Sequence, residues 1–188
     1  TITEGDILLD GISVVKEPIV CKRKMAYVPD TPRLEEYMTG MQYLNFVCDI
    51  YQISAKERKQ NIERLIHAFQ MEPHISGLIS SYSHGMKQKV ALIAAFSHNP
   101  KLLVLDEPFV GLDPEAFIAL KEQMKMLCRK GSSVLFSSHI LDVVEKLCNI
   151  ISIIKDGRLL YSGLTEELIG VEGLEDAFME LNSNESFD

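Results

Sequence analysis

Lys101-Leu102-Leu103-Val104-Leu105-Asp106-Glu107-Pro108 is the stretch that sets the reading of this chain. An unbroken apolar run, Leu102 to Leu105, stops at two carboxylates and a proline. A short continuous run before a polar break reads as a strand covered on both faces of a parallel sheet. Asp106 and Glu107 then stand at its carboxyl end, where open α/β sheets bind their ligands. A carboxylate there can hold Mg²⁺, and its neighbour can orient a water for phosphoryl transfer. Taken alone, the octet would also fit a buried strand followed by a solvated acidic turn.

The flanking segments narrow the choice. Downstream lie Gly111-Leu112-Asp113-Pro114 and a second apolar strand, Val134-Leu135-Phe136, that runs into Ser137-Ser138-His139. Upstream stands Tyr82-Ser83-His84-Gly85-Met86-Lys87-Gln88-Lys89. Ser83 reads as the N-cap of a helix through Val90, Ile93 and Ala95, and a helix start offers N–H groups and partial positive charge to a phosphate. Asp113 followed by Pro114 reads as a cap with proline at the first helical position, and Gly131 ends that helix.

In this order, the four segments resemble the signature motif, the Walker B strand with its glutamate, the D-loop and the switch histidine of ABC transporter ATP-binding subunits. The resemblance runs from about residue 4 to about residue 181. It implies ATP and Mg²⁺ as cofactors, with Asp106 on the metal, Glu107 polarising water and His139 holding the γ-phosphate. Ser83 and Gly85 would face the nucleotide of a second ATP-binding subunit in a head-to-tail dimer, and Asp113 would contact that subunit. Partway along the chain Met25-Ala26-Tyr27-Val28 is halted by Pro29-Asp30-Thr31-Pro32. Asp30 there takes the place of the family's Q-loop glutamine, a metal ligand that also touches the transport subunit. His84 and Met86 depart from the usual Ser-Gly-Gly-Gln. Lys16-Glu17-Pro18-Ile19 and Ser-His-Gly-Met-Lys-Gln-Lys look most like ATPases paired with ABC-2-type exporters. A membrane-spanning permease subunit is the implied partner, and the inner face of the cell membrane, on the cytoplasmic side, the implied location.

No Gly-x-x-x-x-Gly-Lys-Ser/Thr occurs in the 188 residues. That loop supplies backbone N–H groups, a lysine and a hydroxyl to the phosphates and metal. In the family it precedes the segment that begins here at Glu4-Gly5-Asp6-Ile7, so the resemblance implies a chain without its first strands, its P-loop and the following helix, and inactive as given. Two other readings stay open at this stage: a soluble ABC-type ATPase working on ribosomes or DNA, and a docking module that has lost catalysis.

The expected fold is therefore α/β, an incomplete P-loop NTPase with a parallel-sheet core, a helical subdomain and a partial antiparallel β subdomain. A single domain over 1–181 is expected, with antiparallel β structure in 1–33, helices in 34–98, the core sheet and C-terminal helices in 99–181, and a polar tail over 182–188. Asp10-Gly11 and Asp156-Gly157 mark hairpin turns. Thr39-x-x-Gln42 and Ser54-x-x-Glu57 match the capping box. Two apolar stripes behind them, Tyr43, Phe46, Val47 and Ile50, then Ile62, Leu65, Ile66 and Phe69, are expected to be core. Pro18 is expected to limit regular structure over 16–24.

Composition sets the outer bounds. Hydrophobic residues make up 46% and charged residues 24%, as in ordinary globular domains. A net charge of −8 argues against a nucleic-acid partner, which clustered Lys and Arg would hold. Nothing approaches the roughly 20 apolar residues of a membrane-spanning helix, and no charged-then-apolar leader is present. Cys21, Cys48, Cys128 and Cys148 are scattered without a Cys-x-x-Cys pair, which fits reduced thiols.

Overall fold

The computed structural model describes residues 2–169 and 173–184. It divides into two compact units, Thr1–Ser137 and Ser138–Asp188.

The first unit opens with a two-strand antiparallel hairpin, β1 (Leu8–Leu9) and β2 (Ile12–Ser13), with Leu9 opposite Ile12. Its turn places Asp10 at φ +57° and Gly11 at φ +76°, the pair of positive values that a tight hairpin needs. Residues 18–24 correct the expectation of irregular structure: Pro18 opens helix α1 (Pro18–Lys24). At the first helical position proline gives up an N–H that would have no partner anyway, so there it favours the helix. Strand β3 (Met25–Val28) follows. Expected within the antiparallel part, it pairs instead in parallel with β4 (Leu102–Leu105), which in turn pairs in parallel with β5 (Ser133–Phe136). The short apolar run of β3 suits the covered interior of a parallel sheet.

Three helices lie between β3 and β4: α2 (Gly40–Ile50), α3 (Ala55–Ala68) and α4 (His84–Ser97). A helix α5 (Pro114–Arg129) then joins β4 to β5. At the start of α2 the full capping box forms, Thr39 Oγ1 accepting from Gln42 N–H and Gln42 Oε1 from Thr39 N–H. Ser54 caps α3 by accepting from Glu57 N–H, while its hydroxyl donates to the Glu57 carboxylate. From Val90 to Ser97 α4 is buried on every side, as befits a helix packed against α2, α3 and β3. Ala26, Val28, Leu103 and Leu105 form the sheet face beneath it.

The second expected stripe is core: Ile62, Leu65, Ile66 and Phe69 are all buried. The first is not. On α2 the buried face is Gly40, Leu44 and Cys48, while Phe46 and Ile50 are exposed. Close approach explains the rotation. A Cβ on Gly40 would lie 2.6 Å from the Tyr82 hydroxyl and 2.8 Å from Ile75 Cδ1. Small residues on that side bring α2 against its neighbours, and Tyr43, Val47 and Ile50 are left to line an open cavity of about 630 Å³ together with Tyr51, His98 and Pro29–Arg33. His98 stacks on Tyr51 in its wall with centroids 3.6 Å apart, and burial pushes its imidazole pKa down.

The second unit holds α6 (Leu141–Leu147), an antiparallel hairpin of β6 (Ile150–Lys155) and β7 (Arg158–Leu164), then α7 (Thr165–Ile169) and α8 (Leu174–Asn184). The hairpin turns at Asp156 and Gly157, both at positive φ. Buried Thr165 donates its hydroxyl to Cys148 O at 2.7 Å, and Leu174 N–H donates to Glu145 Oε2 at 3.0 Å, which ties α8 to α6. Of the expected tail, residues 182–184 belong to α8, and 185–188 lie outside the described residues.

Candidate functional site

Pairing on both sides of β4 carries its carboxylates to the end of the sheet. The ladder continues one residue past the strand: Asp106 N–H donates to Val28 O at 2.9 Å, and Ser137 N–H to Leu105 O at 3.0 Å. Ser137 therefore stands directly beside Asp106. Its hydroxyl donates to Asp106 Oδ1 at 2.6 Å and accepts from Glu107 N–H at 3.0 Å. Glu107 sits at φ +43°, a region that non-glycine residues rarely adopt and that tends to mark functional positions. Behind it the chain is anchored by buried Phe109, whose ring meets Phe136 edge-on at 5.7 Å and Phe117 at 4.8 Å.

The loop then runs through Gly111, at φ +76°, to Asp113, which caps α5 by accepting from Ala116 N–H at 2.8 Å. The other Asp113 oxygen, Oδ2, lies 2.6 Å from Lys89 Nζ on α4. Hydrogen bonding to Lys89, reinforced by the Ala116 N–H, holds the Asp113 carboxyl below its usual pKa. Ser83 caps α4, accepting from Met86 N–H at 3.3 Å. Gly85 lies so near this loop that a Cβ on it would be 2.8 Å from Gly111 O, and a Cβ on Gly111 would be 3.0 Å from His84 Cδ2. The start of α4 and the loop before α5 are thus one packed element. Beside it a cavity of about 460 Å³ is lined by Arg33, Tyr82, His84 and Lys87, with Lys87 Nζ 2.5 Å from Glu36 Oε1.

Of the residues expected from the sequence, Asp106, Glu107 and Asp30 lie at the same end of the sheet, while Ser83, Gly85 and Asp113 gather where α4 meets α5. Asp30 is exposed, and its Oδ1 accepts from Thr31 N–H at 2.6 Å in the turn between the two prolines. His139 belongs to the second unit, two residues beyond Ser137, and is exposed. Ser137 and Lys89 stand within the motif segments, but the sequence alone gives them no role. Their partners depend on strand register and on helix packing, and neither is written in the local sequence.

A family model described as "ABC transporter" matches residues 1–110. The chain is 35% identical over 177 residues to the ABC-type transporter ATP-binding protein EcsA of Bacillus subtilis strain 168, covering 94% of this chain and 72% of that protein. It belongs to the ABC transporter ATP-binding family. A second member, the ABC transporter ATP-binding protein NatA of the same strain, is 33% identical over 175 residues, which is 93% of this chain and 71% of that one. A solved structure titled "Structure of ATP binding subunit of ABC transporter" superposes with a TM-score of 0.92 at 33% identity, covering 96% of this chain and 77% of the other. The fold is accordingly that of the ABC-type P-loop NTPases, and the family binds and hydrolyses ATP.

Among the described residues no group of three or more His, Cys, Asp or Glu side chains converges as a metal cage. Asp106 by itself fits magnesium in another mode. Mg²⁺ commonly takes one or two carboxylates and completes its shell with water and substrate phosphates. Asp106 offers such a carboxylate at the sheet end, oriented through one oxygen by the Ser137 hydroxyl.

Proposed function

We propose that this chain is the hydrolytic core of an ATP-binding subunit that powers an ABC-type exporter, and that it works as part of a longer protein carrying the phosphate-binding loop. The observation that carries the reading is the arrangement at the end of β4. One hydroxyl, that of Ser137, holds the Asp106 carboxylate and the Glu107 backbone N–H, while a separate, glycine-packed helix start stands at α4. In this reading Asp106 holds Mg²⁺, which when bound supplies positive charge against the phosphates. Glu107 orients the attacking water, and His139 reaches the γ-phosphate. Ser83 and Gly85 present the α4 N-terminus to nucleotide on a second subunit, with Asp113 at the same interface. Asp30 adds an oxygen donor on the metal side.

The bare side of the sheet supports the reading of a longer whole. Across it runs a row in register, Tyr27, Val104 and Leu135, with Tyr27 59% and Leu135 61% exposed. Parallel sheets are normally covered on both faces. The described residues give the outer edge of β5 no neighbouring strand. EcsA and the superposed structure both extend beyond the matched region. The exporter assignment rests on the motif resemblance to ABC-2-type ATPases. A permease on the inner face of the membrane is the corresponding partner, and the open cavity beside Asp30 is a suitable place for its cytoplasmic segment.

Magnesium-dependent ATP turnover tests this directly. The 188 residues alone should show none, and the same chain preceded by its P-loop-bearing segment should turn over ATP in a manner abolished by Glu107→Gln. Turnover by the 188 residues, lost in Glu107→Gln, would refute the dependence on a further segment.

A further inference from the structure

Ser137 links the Asp106 carboxylate to the backbone of Glu107, a role that none of the motifs assigns. Its single hydroxyl proton is committed to Asp106 Oδ1 at 2.6 Å, and a lone pair of the same oxygen takes the Glu107 N–H at 3.0 Å. One atom thereby fixes two different things. It occupies one Asp106 oxygen, which sets the rotation of the carboxylate, and it satisfies the amide of a residue held at φ +43°. A backbone conformation of that kind is strained and persists only where its surroundings enforce it. The Ser137 acceptor is one such constraint, and the bond from Val110 N–H to Glu107 O at 3.2 Å is another. Register gives Ser137 its place: Leu105 is opposite Phe136, so the next residue on β5 falls beside Asp106.

We infer that Ser137 is a positioning residue for hydrolysis, setting the Asp106 carboxylate toward the cation and the Glu107 backbone in the conformation from which its side chain meets the water. This rests on the proposed ATPase reading. The effect of the hydroxyl passes through its two neighbours, Asp106 and Glu107. Groups that must sit within a fraction of an ångström of the reacting atoms lose about 10²-fold in rate for a misplacement of about 1 Å. Ser137 is exposed and makes no apolar contribution to the core, so its removal should leave the fold intact.

Ser137→Ala and Ser137→Thr separate this from a purely structural role. In the 188-residue chain, amide exchange at Glu107 should quicken about tenfold in Ser137→Ala, from loss of the acceptor, and return to the wild-type rate in Ser137→Thr. In the P-loop-bearing protein, Ser137→Ala should lower kcat about ten- to a hundredfold and raise the magnesium concentration needed for half-maximal rate. KM for ATP and the melting temperature should be unchanged, and threonine should restore both kcat and the magnesium requirement. Unchanged exchange at Glu107 would overturn the hydrogen-bond role, and faster exchange with unchanged kcat would overturn the positioning role. Absence of turnover in the wild-type P-loop-bearing protein would instead bring down the ATPase reading, and with it any role of Ser137 in hydrolysis.

Discussion

At the end of β4 the candidate site is made of polar side chains placed by strand register, with Asp106 and the Glu107 backbone held through Ser137. At the start of α4 the candidate surface is backbone, placed by close packing of Gly85 on Gly111 and by the Lys89–Asp113 pair. The first region can trade one hydroxyl for another, because what it needs is a donor and an acceptor at the right place. The second has no such latitude, since a single added carbon meets a carbonyl oxygen. Departures from the family pattern follow this difference. His84 is accommodated because its ring lies over Gly111, which has no side chain to obstruct it, and Gly85 is kept where contact is tightest.

Gly85→Ala puts the contrast under the greatest strain. Its Cβ would come 2.8 Å from Gly111 O, well inside normal contact, and relief requires a shift of the helix start or the loop. Overpacking of this kind costs about 1–3 kcal/mol. Thermal or urea unfolding of the 188-residue chain should show a loss in that range. Stability equal to wild type would mean that the loop yields freely and that the two elements are not one packed unit.

Lys89→Met probes the ionic half of the same region. Lys89 holds the Asp113 carboxyl below its ordinary pKa, 3.8 in the reference state. A depressed carboxyl stabilises the fold fully above its unfolded pKa and loses that contribution as pH falls through its folded value. The variant should therefore be slightly less stable than wild type at pH 7, by less than about 1 kcal/mol because Asp113 is about half exposed. The difference should begin to shrink below about pH 3.8 and close once the pH passes the lower folded value. Urea midpoints measured across that range decide the matter, and a gap that persists unchanged in acid would show that Lys89 acts by packing instead.

Asp30→Ala should have the smallest effect. Asp30 is exposed in the turn between Pro29 and Pro32, with Oδ1 accepting from Thr31 N–H, so its loss should disturb neither the core nor Asp106. In the P-loop-bearing protein the substitution should raise the magnesium requirement for hydrolysis modestly, with little change in melting temperature. An unchanged magnesium dependence would reduce Asp30 to a turn residue between Pro29 and Pro32.

The sequence made the carboxylate end of the site readable because a continuous apolar run stopped at two acids, and the helix caps readable because Ser83 and Asp113 precede their helices. It hid whatever depends on a distant partner. Ser137 acquires its role only when β5 pairs with β4 in one register. The buried face of α2 is set by the tight approach of Gly40 to Tyr82 and Ile75, which outweighed the more hydrophobic stripe of Tyr43, Phe46, Val47 and Ile50. Pro18 departs from expectation for a local reason, since the same residue that breaks a helix interior opens a helix at its first position.

Whether the two regions serve one reaction across two subunits is decided most directly by Glu107→Gln in the P-loop-bearing protein with Mg-ATP. Glutamine keeps the size of the side chain and can still hydrogen-bond, but it cannot accept a proton, and loss of a positioned general base costs about 10²–10⁴ in rate. Nucleotide binding is left in place, so the Ser83–Gly85 helix start should stay docked on ATP of the second subunit. Size-exclusion chromatography should then show a dimer for the variant and mostly monomer for wild type. A variant that binds ATP and remains monomeric would contradict the account, because α4 would then not complete a site across the interface.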